Sequence, residues 1–264
     1  MNESRYIALD RIATSKTFEV FDAWSVERGC RVVVKTVTPE KRGRGDAEER
    51  LAQEGHLLER LTHPHIVRAY EVREEAPAML VLETLPGETL AHMVDEGGGP
   101  LDTGEAALLG LQVGSALGYL HAHGVLHLDL KPSNIVVENG RAKLIDLSIA
   151  RPPGRAEPGW GTWCYLAPEQ ALGSALTAAT DVWGLGAVLY EALTGDIPFD
   201  DGSEEGYPQL SLTPAPLAGP LGPLVASCLA RAPTERPALE RVVDGLRELA
   251  AAPTERPLEQ RRFP

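Results

Sequence analysis

The sequence predicts an α+β fold, in which a strand-rich first lobe is followed by a mainly helical second lobe. Two observations lead to this prediction. Residues 20–37 are rich in β-branched and aromatic side chains, which favour strands. After a Gly-Gly-Gly-Pro run at residues 97–100, apolar residues recur with a helical period instead. A chain of 264 residues is long enough for two lobes of ordinary size.

The first lobe is predicted to contain strands and one helix. Strands are expected at residues 20–25 and 31–37, joined by a turn at 27–29, and again at 79–83. Residues 46–61 change to a helical pattern, because a set of positions recurs every three or four residues, as the face of a helix requires. The residues at this spacing are Leu51, Glu54, Leu58 and Leu61.

The second lobe is predicted to be helical, with one small hairpin. A helix is expected at residues 103–123, with Thr103 as its N-cap. Residues 136–146 predict a hairpin that turns at an Asn-Gly pair. The Pro- and Gly-rich residues 151–160 predict a loop. Further helices are expected at residues 181–194, 220–230 and 238–250.

The composition is that of a globular protein and argues against several classes of partner. The chain has 25 Lys and Arg against 38 Asp and Glu, a net charge of −13, so neither nucleic acid nor an anionic membrane surface is expected to bind. The longest apolar stretch, residues 182–193, is too short to span a bilayer, so no membrane insertion is expected. The N-terminal residues contain no apolar segment of the kind found in signal peptides, so no secretory signal is expected, and the three cysteines have no metal-binding spacing. We therefore expect a cytoplasmic location.

The residues that carry chemistry are concentrated at positions 127–134, which read His-Leu-Asp-Leu-Lys-Pro-Ser-Asn. Asp146 follows Asn134 by twelve residues, at the end of a short apolar segment. Phosphoryl transfer needs an acid that orients a hydroxyl, an ammonium that neutralises charge, and oxygen ligands for magnesium. This stretch supplies all of these groups.

The stretch resembles the catalytic loop of the eukaryotic-like (Hanks-type) serine/threonine protein kinases of bacteria, and the resemblance covers roughly residues 6–250. It implies a bilobal protein kinase fold, with an antiparallel five-stranded N-lobe that carries helix C and a mainly helical C-lobe. The implied organisation is a single kinase domain over 1–264, with an N-lobe at about 1–83, a hinge at about 84–88, a C-lobe at about 89–250 and a short tail at 251–264.

The resemblance assigns the reacting residues one position at a time. Lys35, which ends a Val-Val-Val-Lys segment, matches the lysine that contacts the α- and β-phosphates, and Glu54 matches its partner on helix C. Asp129 matches the catalytic base, and Lys131 matches the lysine that contacts the γ-phosphate. The implied magnesium ligands are Asn134 and Asp146.

The resemblance also implies a nucleotide pocket and four structural positions. Thr162 is expected to bond the catalytic aspartate and lysine, and Asp181 is expected to hold the catalytic-loop backbone. Glu169, in an Ala-Pro-Glu segment, is expected to form a buried ion pair with Arg236. The residues expected to contact the nucleotide base are Ile12, Val20, Val33, Leu82 at the gatekeeper position, Glu83, Leu85 and Val136.

The nucleotide lid departs from the family pattern, because it has no glycine where the family has a glycine-rich loop. A gapless alignment places Ala13, Ser15 and Phe18 at the glycine positions, whereas a loop one residue shorter makes Phe18 the aromatic tip. Neither alignment supplies the backbone freedom with which glycine approaches phosphate. A looser lid is therefore expected.

The catalytic loop and the activation segment depart from the pattern as well. Leu128 stands where many relatives have an arginine that binds a phosphorylated activation segment, so the chain is a non-RD variant. Residues 147–166 contain only three hydroxyls: Ser148, which adjoins Asp146, and Thr162 and Tyr165, which lie in the Gly-Thr-x-x-Tyr segment just before Ala-Pro-Glu. No site for the usual activating phosphate is therefore expected.

Taken together, the residues and the resemblance predict a serine/threonine protein kinase that uses ATP and Mg²⁺ and phosphorylates protein hydroxyls. Lys131, two residues after Asp129, favours Ser or Thr over Tyr as the acceptor. The alternative is a pseudokinase that serves as a nucleotide-binding or scaffold module, and a small-molecule kinase is a third interpretation. Regulation is expected to come from a partner protein that moves helix C, or from expression level.

Overall fold

The chain separates into two compact units, Met1–Pro86 and Gly87–Pro264. In a computed structural model, residues 5–43, 45–199 and 206–250 are described, and the tail predicted at 251–264 lies outside them. The first unit is built on a β-sheet and the second is mostly helical, which is the predicted α+β class.

The first unit contains an antiparallel sheet of five strands and one long helix. The helix, α1 (Asp46–Arg60), buries Leu51, Glu54 and Leu58, so the predicted helical spacing is confirmed. The strands are β1 (Tyr6–Thr14), β2 (Phe18–Ser25), β3 (Cys30–Val37), β4 (Ala69–Arg73) and β5 (Met79–Glu83), and their order in the sheet is β1-β2-β3-β5-β4.

Strand β3 lies at the centre of this sheet because its β-branched residues can pack on both faces. On one face, Val32 and Val34 pack with Ala23 of β2 and Val81 of β5. Lys35 belongs to the other face, because side chains alternate along a strand. The sheet therefore fixes the position of Lys35 from both neighbouring strands.

The second unit is organised around a buried helix. This helix, Ala178–Thr194, buries every residue from Thr180 to Ala192, and the ring of Trp183 stacks on Phe199 with centroids 4.9 Å apart. The elements of this unit are β6 (Glu88–Thr89), α2 (Leu90–Asp95), α3 (Thr103–Ala122), β7 (Ile135–Glu138), β8 (Arg141–Leu144), β9 (Gly154–Arg155), α4 (Pro168–Ala171), β10 (Ala175–Leu176), α5 (Ala178–Thr194), α6 (Gly222–Cys228) and α7 (Leu239–Ala250).

The predicted boundaries in this unit need three corrections. Asp102, not Thr103, caps α3, because its Oδ1 accepts the Glu105 N–H at 2.9 Å while Glu105 Oε2 accepts the Asp102 N–H at 2.9 Å. Helix α5 begins three residues before position 181, because Thr177 caps it and its side chain accepts the N–H of Ala179. The predicted loop at 151–160 contains β9, which pairs with β10.

None of the helices in the described part of the chain is both long enough and apolar enough to cross a membrane.

Candidate active site

The catalytic loop in the second unit is fastened to the buried helix α5 by one carboxylate. Asp181 Oδ2 accepts the N–H of His127 at 2.9 Å, and Oδ1 accepts the N–H of Leu128 at 2.8 Å. His121, near the end of α3, brings its Nε2 to 2.8 Å from the same Oδ2. Because Asp181 is 1% exposed, water does not compete for these bonds. The loop backbone is therefore held from inside the unit.

Leu128 has an uncommon backbone conformation. Its φ is 68°, in the left-handed region that residues other than glycine rarely adopt. Such a conformation persists where surrounding groups hold it, and it is found often at functional sites. The strained residue directly precedes Asp129.

Asp129 is the centre of a hydrogen-bond network formed by three other side chains. Thr162 Oγ1 donates to Asp129 Oδ1 at 2.6 Å and accepts from Lys131 Nζ at 2.6 Å. Lys131 Nζ also lies 3.0 Å from Asp129 Oδ2. Asn134 Nδ2 donates to Asp129 Oδ2 at 3.0 Å and to the Asp129 carbonyl at 2.9 Å. The carboxylate is therefore fixed in position, with an ammonium beside it.

The side chains near this network suit a hard cation. Since the NH₂ group of Asn134 donates to Asp129, the oxygen of the same amide is the atom it can offer to a metal. Asp146 lies at the end of the hairpin β7–β8, and its Oδ1 accepts the Ser148 N–H at 2.9 Å. Amide and carboxylate oxygens are what Mg²⁺ prefers, with phosphate oxygens and water completing its shell. No cluster of three or more His, Cys, Asp or Glu side chains that could hold a metal occurs in the ranges that the structure describes.

His127 is packed beneath the loop and does not face solvent. It is completely buried, and this burial lowers its pKa below the ordinary value, although the carboxylates of Asp181, Asp129 and Asp146 act in the opposite direction. Its Nδ1 accepts the N–H of Asp129 at 3.3 Å, while Nε2 has no partner among the described residues. A neutral imidazole that accepts a backbone bond supports the loop mechanically.

A buried ion pair closes the activation segment. Arg236 donates to both oxygens of Glu169, at 2.6 and 2.8 Å, and Thr180 Oγ1 donates to Glu169 Oε1 at 2.9 Å. The remaining guanidinium hydrogens go to the carbonyls of Ala230, Arg231 and Ala179, so all five donors are used. The pair is bidentate and fully paired, which is the condition under which a buried charge is tolerated.

Leu128 lies in an apolar cluster with the activation segment. The buried residues of the cluster are Leu126, Leu128 and Leu176, and the half-buried Ile149, Ala156 and Trp160 pack against them. The backbones of Leu126 and Arg151 also pair, with bonds of 2.8 and 3.1 Å. Apolar packing thus holds the segment at the position where an arginine would hold a phosphate.

In the first unit, Lys35 pairs with Glu54 of helix α1. Lys35 Nζ lies 2.8 Å from Glu54 Oε2, and the side chains are 7% and 0% exposed. The ring of Phe18 covers the ammonium at 4.9 Å, and the Arg50 guanidinium lies 5.7 Å from the same ring. An aromatic face beside a desolvated ammonium is a favourable contact. No pattern in the sequence indicates that Phe18 lies beside this pair.

The lid between β1 and β2 is a short hairpin in which three backbone amides bond within the turn. Ser15 Oγ accepts the N–H groups of Thr17 and Phe18 at 3.2 and 2.9 Å, and the Ser15 N–H donates to the Phe18 carbonyl at 2.8 Å. Phe18 is the first residue of β2, where it pairs with Val37 and is buried. It is therefore not an exposed aromatic tip, which the shorter alignment had required.

The predicted base-contacting residues lie in both units. Val20, Val33 and Leu82 share one sheet face with Lys35, because Val20 pairs with Lys35 and Val33 pairs with Leu82. The Glu83 N–H donates to the Arg68 carbonyl at 3.0 Å, so this N–H is already engaged within the first unit. The others are Ile12, exposed on β1, half-buried Leu85 after β5, and Val136 in β7 of the second unit.

Two further contacts of the site were missed by the sequence analysis. The Tyr165 hydroxyl donates to Glu191 Oε2 of α5 at 2.6 Å, and burial raises the pKa of both groups. Gln170 donates from α4 to the catalytic loop. No local spacing in the sequence indicates either contact. Tyr165 and Glu191 are 26 residues apart, and Gln170 and Leu128 are 42 residues apart, so the partners meet only in the folded unit.

Known proteins resemble this chain over most of its length. The family model for the protein kinase domain matches residues 10–245. The chain is 38% identical over 237 residues to the serine/threonine-protein kinase PkaA of Streptomyces coelicolor, across 84% of this chain and 44% of that protein. It is 33% identical over 249 residues to PknA of Mycobacterium tuberculosis, across 89% and 58%. It is 32% identical over 207 residues to the probable kinase PknB of Lactococcus lactis, across 75% and 33%.

The chain belongs to the protein kinase domain family, and its relatives are serine/threonine kinases of bacteria. Members of the family use ATP and, typically, a divalent metal, and they act on proteins. The alignments span between 33% and 58% of the length of the three relatives.

Proposed function

We propose that the chain is a protein serine/threonine kinase that transfers the γ-phosphate of ATP to a hydroxyl of a protein. The observation that carries the proposal is the network in which Thr162, Lys131 and Asn134 hold the carboxylate of Asp129. A fixed carboxylate beside an ammonium suits the alignment of a hydroxyl with a phosphoryl group, and positioning supplies most of the catalysis in this reaction.

Each group of the network has a role in the proposed transfer. Asp129 orients the acceptor hydroxyl and accepts its proton, and Lys131 neutralises charge on the transferred phosphoryl group. Thr162 keeps the two at a fixed separation. Mg²⁺, when bound by Asn134 and Asp146, would neutralise the phosphate oxygens of ATP. Lys35, oriented by Glu54, would contact the α- and β-phosphates.

The lid would contribute less to phosphate binding than a glycine-rich lid does. Ser15 already accepts the amides of Thr17 and Phe18, so these N–H groups are engaged within the hairpin. Binding of the nucleotide would depend on Lys35 and on residues that contact the base. We propose that the base-contacting residues are those expected from the family resemblance: Ile12, Val20, Val33, Leu82, Glu83, Leu85 and Val136. The shared sheet face of Val20, Val33 and Leu82 supports this set.

The remaining predictions about the chain are proposals of the same kind. We propose one kinase domain with a hinge near residues 84–88, which the division of the chain after Pro86 supports. Structural roles for Glu169, Asp181 and Arg236 are supported by their buried bonds. The use of ATP favours a cytoplasmic location. The net charge of −13 argues against nucleic acid as a partner. Regulation through a movement of α1 would require a partner protein.

Phosphate transfer from labelled ATP to casein, followed by identification of the labelled amino acids, tests the proposal. The wild-type chain is expected to label serine and threonine, and Asp129→Asn is expected to label neither while it still binds the nucleotide. Asp146→Asn is expected to lose magnesium-dependent nucleotide binding as well. Transfer by Asp129→Asn at the wild-type rate would contradict the assignment. A wild-type chain that binds ATP without transfer would be a pseudokinase, and one that labels only a metabolite would be a small-molecule kinase.

A further inference from the structure

Gln170 is a buried amide that joins three segments of the second unit. It follows Glu169 in α4 and is 3% exposed. Its Nε2 donates to the Leu128 carbonyl and to the Trp160 carbonyl, both at 2.8 Å, and its Oε1 accepts the Ala167 N–H at 2.9 Å. Both of its N–H donors and its oxygen are therefore used, which ties the amide to one orientation.

The bond to the Leu128 carbonyl acts on the backbone that carries Asp129. Leu128 adopts a φ of 68°, and such a conformation must be held by its surroundings. Asp181 accepts the N–H of Leu128, and Gln170 donates to its carbonyl, so the peptide groups on both sides of Leu128 are held. The direction in which the Asp129 side chain leaves the loop depends on this residue. Gln170 contacts Asp129 only through the chain, so it can orient the carboxylate without changing its charge.

The bond to Trp160 extends the same restraint to the activation segment. Trp160 packs against the apolar cluster of Leu128, and the N–H of Gly159 donates to the Gln170 carbonyl at 2.9 Å. Gln170 therefore holds the segment by its backbone as well as by its side chain. This link is made by a neutral amide. Like Leu128, which stands where many relatives have an arginine, Gln170 brings no charge to the loop.

We propose that Gln170 is a positioning residue for phosphoryl transfer, which fixes Asp129 and the activation segment in one arrangement without a phosphate group. The proposal rests on the proposed kinase activity. The rate of transfer then depends on the hydrogen bonds that Gln170 donates to the carbonyls of Leu128 and Trp160, and not on the volume of its side chain.

Two substitutions separate the hydrogen bonds from the packing. Gln170→Met keeps the volume and removes all three bonds, whereas Gln170→Glu keeps the acceptor for Ala167 and replaces the donors by a carboxylate oxygen. Gln112 provides the control, because its amide donates to the Gly140 carbonyl and accepts the Ala142 N–H, both at 2.8 Å, at the turn of the β7–β8 hairpin and not in the catalytic loop. The controls are Gln112→Met and Gln112→Glu.

Turnover is expected to separate the two glutamines. Gln170→Met should lower kcat roughly 10- to 100-fold, as displaced catalytic groups do, with the KM for ATP unchanged. The Gln112 variants should keep the kcat of the wild type. If the loss of kcat in Gln170→Met came only from removing a hydrogen-bonded amide, the Gln112 variants should lose kcat to the same extent.

The pH profile of Gln170→Glu provides a readout that packing does not affect. An ionised carboxyl repels the two carbonyls, whereas a protonated carboxyl donates to one of them. Asp129, Asp181 and Tyr165 line the same small cavity, and burial together with the two carboxylates should raise the pKa of the introduced carboxyl. The kcat of Gln170→Glu, relative to wild type, should therefore rise as the pH falls, and that of Gln170→Met should not.

Hydrogen exchange over residues 156–166 tests the restraint without reference to activity. Exchange is expected to be faster in Gln170→Met than in wild type and unchanged in Gln112→Met. With an active wild type, a Gln170→Met kcat within about twofold of wild type would overturn the inference. If the kcat of Gln170→Glu did not recover at low pH, the inference would be overturned too, and this pH profile is the deciding test if Gln170→Met does not fold.

An inactive wild type would contradict the proposed function instead. The exchange rates alone would then show whether Gln170 restrains the activation segment.

Discussion

Leu128 shows how a single side chain changes what the activation segment requires. The sequence predicted that leucine removes a charge beside Asp129, and the structure adds that this leucine packs with Trp160 and its neighbours. The sequence could identify the missing arginine, because the motif around it is contiguous. It could not identify the cluster, since Leu126, Leu128 and Leu176 come from separate segments.

The variant Leu128→Arg is expected to be less stable and less active. Leu128 is 5% exposed, so an arginine there would bring an unpaired charge into an apolar cluster. We expect the free energy of unfolding to fall by at least about 2 kcal/mol. Chemical denaturation and transfer assays measure the two effects. Leu128→Met is the control, with an expected cost below about 1.5 kcal/mol. A fully active and equally stable Leu128→Arg would show that the cluster does not hold the segment.

Glu191 is expected to make stability depend on pH. Burial raises its pKa, which the Tyr165 hydrogen bond lowers to a smaller extent. The native state then holds the proton more tightly than the unfolded state, so this contribution to stability is complete below the ordinary pKa of glutamate and is lost as the pH rises. Glu191→Gln still accepts the Tyr165 hydroxyl and has no charge to bury.

The melting temperature should therefore be higher in Glu191→Gln than in wild type at neutral pH, and the difference should vanish near pH 4. The control Glu240→Gln, at an exposed position of α7, should leave the melting temperature close to that of the wild type. A difference that is constant with pH, or that grows toward acid, would contradict the raised pKa.

Among the elements, the β1–β2 lid differs most from what the sequence could predict. The absence of glycine was visible at Ala13, Ser15 and Phe18, but the role of the serine was not. A serine side chain bonds amides two and three residues ahead only after the turn has formed, so no pattern of residues predicts it. The helices α1 and α3 were predicted well, because their apolar spacing persists over several turns.

Restoring glycine in the lid is expected to tighten ATP binding. In the double variant Ala13→Gly/Ser15→Gly, the N–H groups of Thr17 and Phe18 lose their internal acceptor and can turn toward phosphate. Each new bond to a charged phosphate would add roughly 1.5–3 kcal/mol. Titration calorimetry with ATP and ADP measures the effect, and the gain should be larger for ATP. Unchanged or weaker binding would show that the lid uses another contact.

At the scale of the whole molecule, the Glu169–Arg236 pair joins parts of the chain that are 67 residues apart. The sequence assigned the pair through the family resemblance, and the structure adds that three carbonyls complete the guanidinium shell. Removing Arg236 would leave the Glu169 charge buried with Thr180 alone. Arg236→Met is therefore expected to lower the free energy of unfolding by about 3–5 kcal/mol.

Arg247 supplies the control for this measurement. It pairs with Asp244 on the surface of α7, where the side chains are 64% and 65% exposed. Arg247→Met should change the free energy of unfolding by less than about 1 kcal/mol. Denaturant titration compares the two variants. Equal costs at both sites would mean that the buried pair does not tie the activation segment to the rest of the unit.

The central claim is that the chain is a kinase whose activation segment is already settled without a phosphate. The measurement that tests it most directly is single-turnover transfer from labelled ATP to a protein. The rate is compared between untreated wild-type chain and wild-type chain that was treated with a phosphatase, after the phosphatase has been removed. The account predicts the same rate before and after treatment, and no transfer by Asp129→Asn. A large loss on dephosphorylation that maps to residues 147–166, or no transfer by the untreated chain, would contradict it.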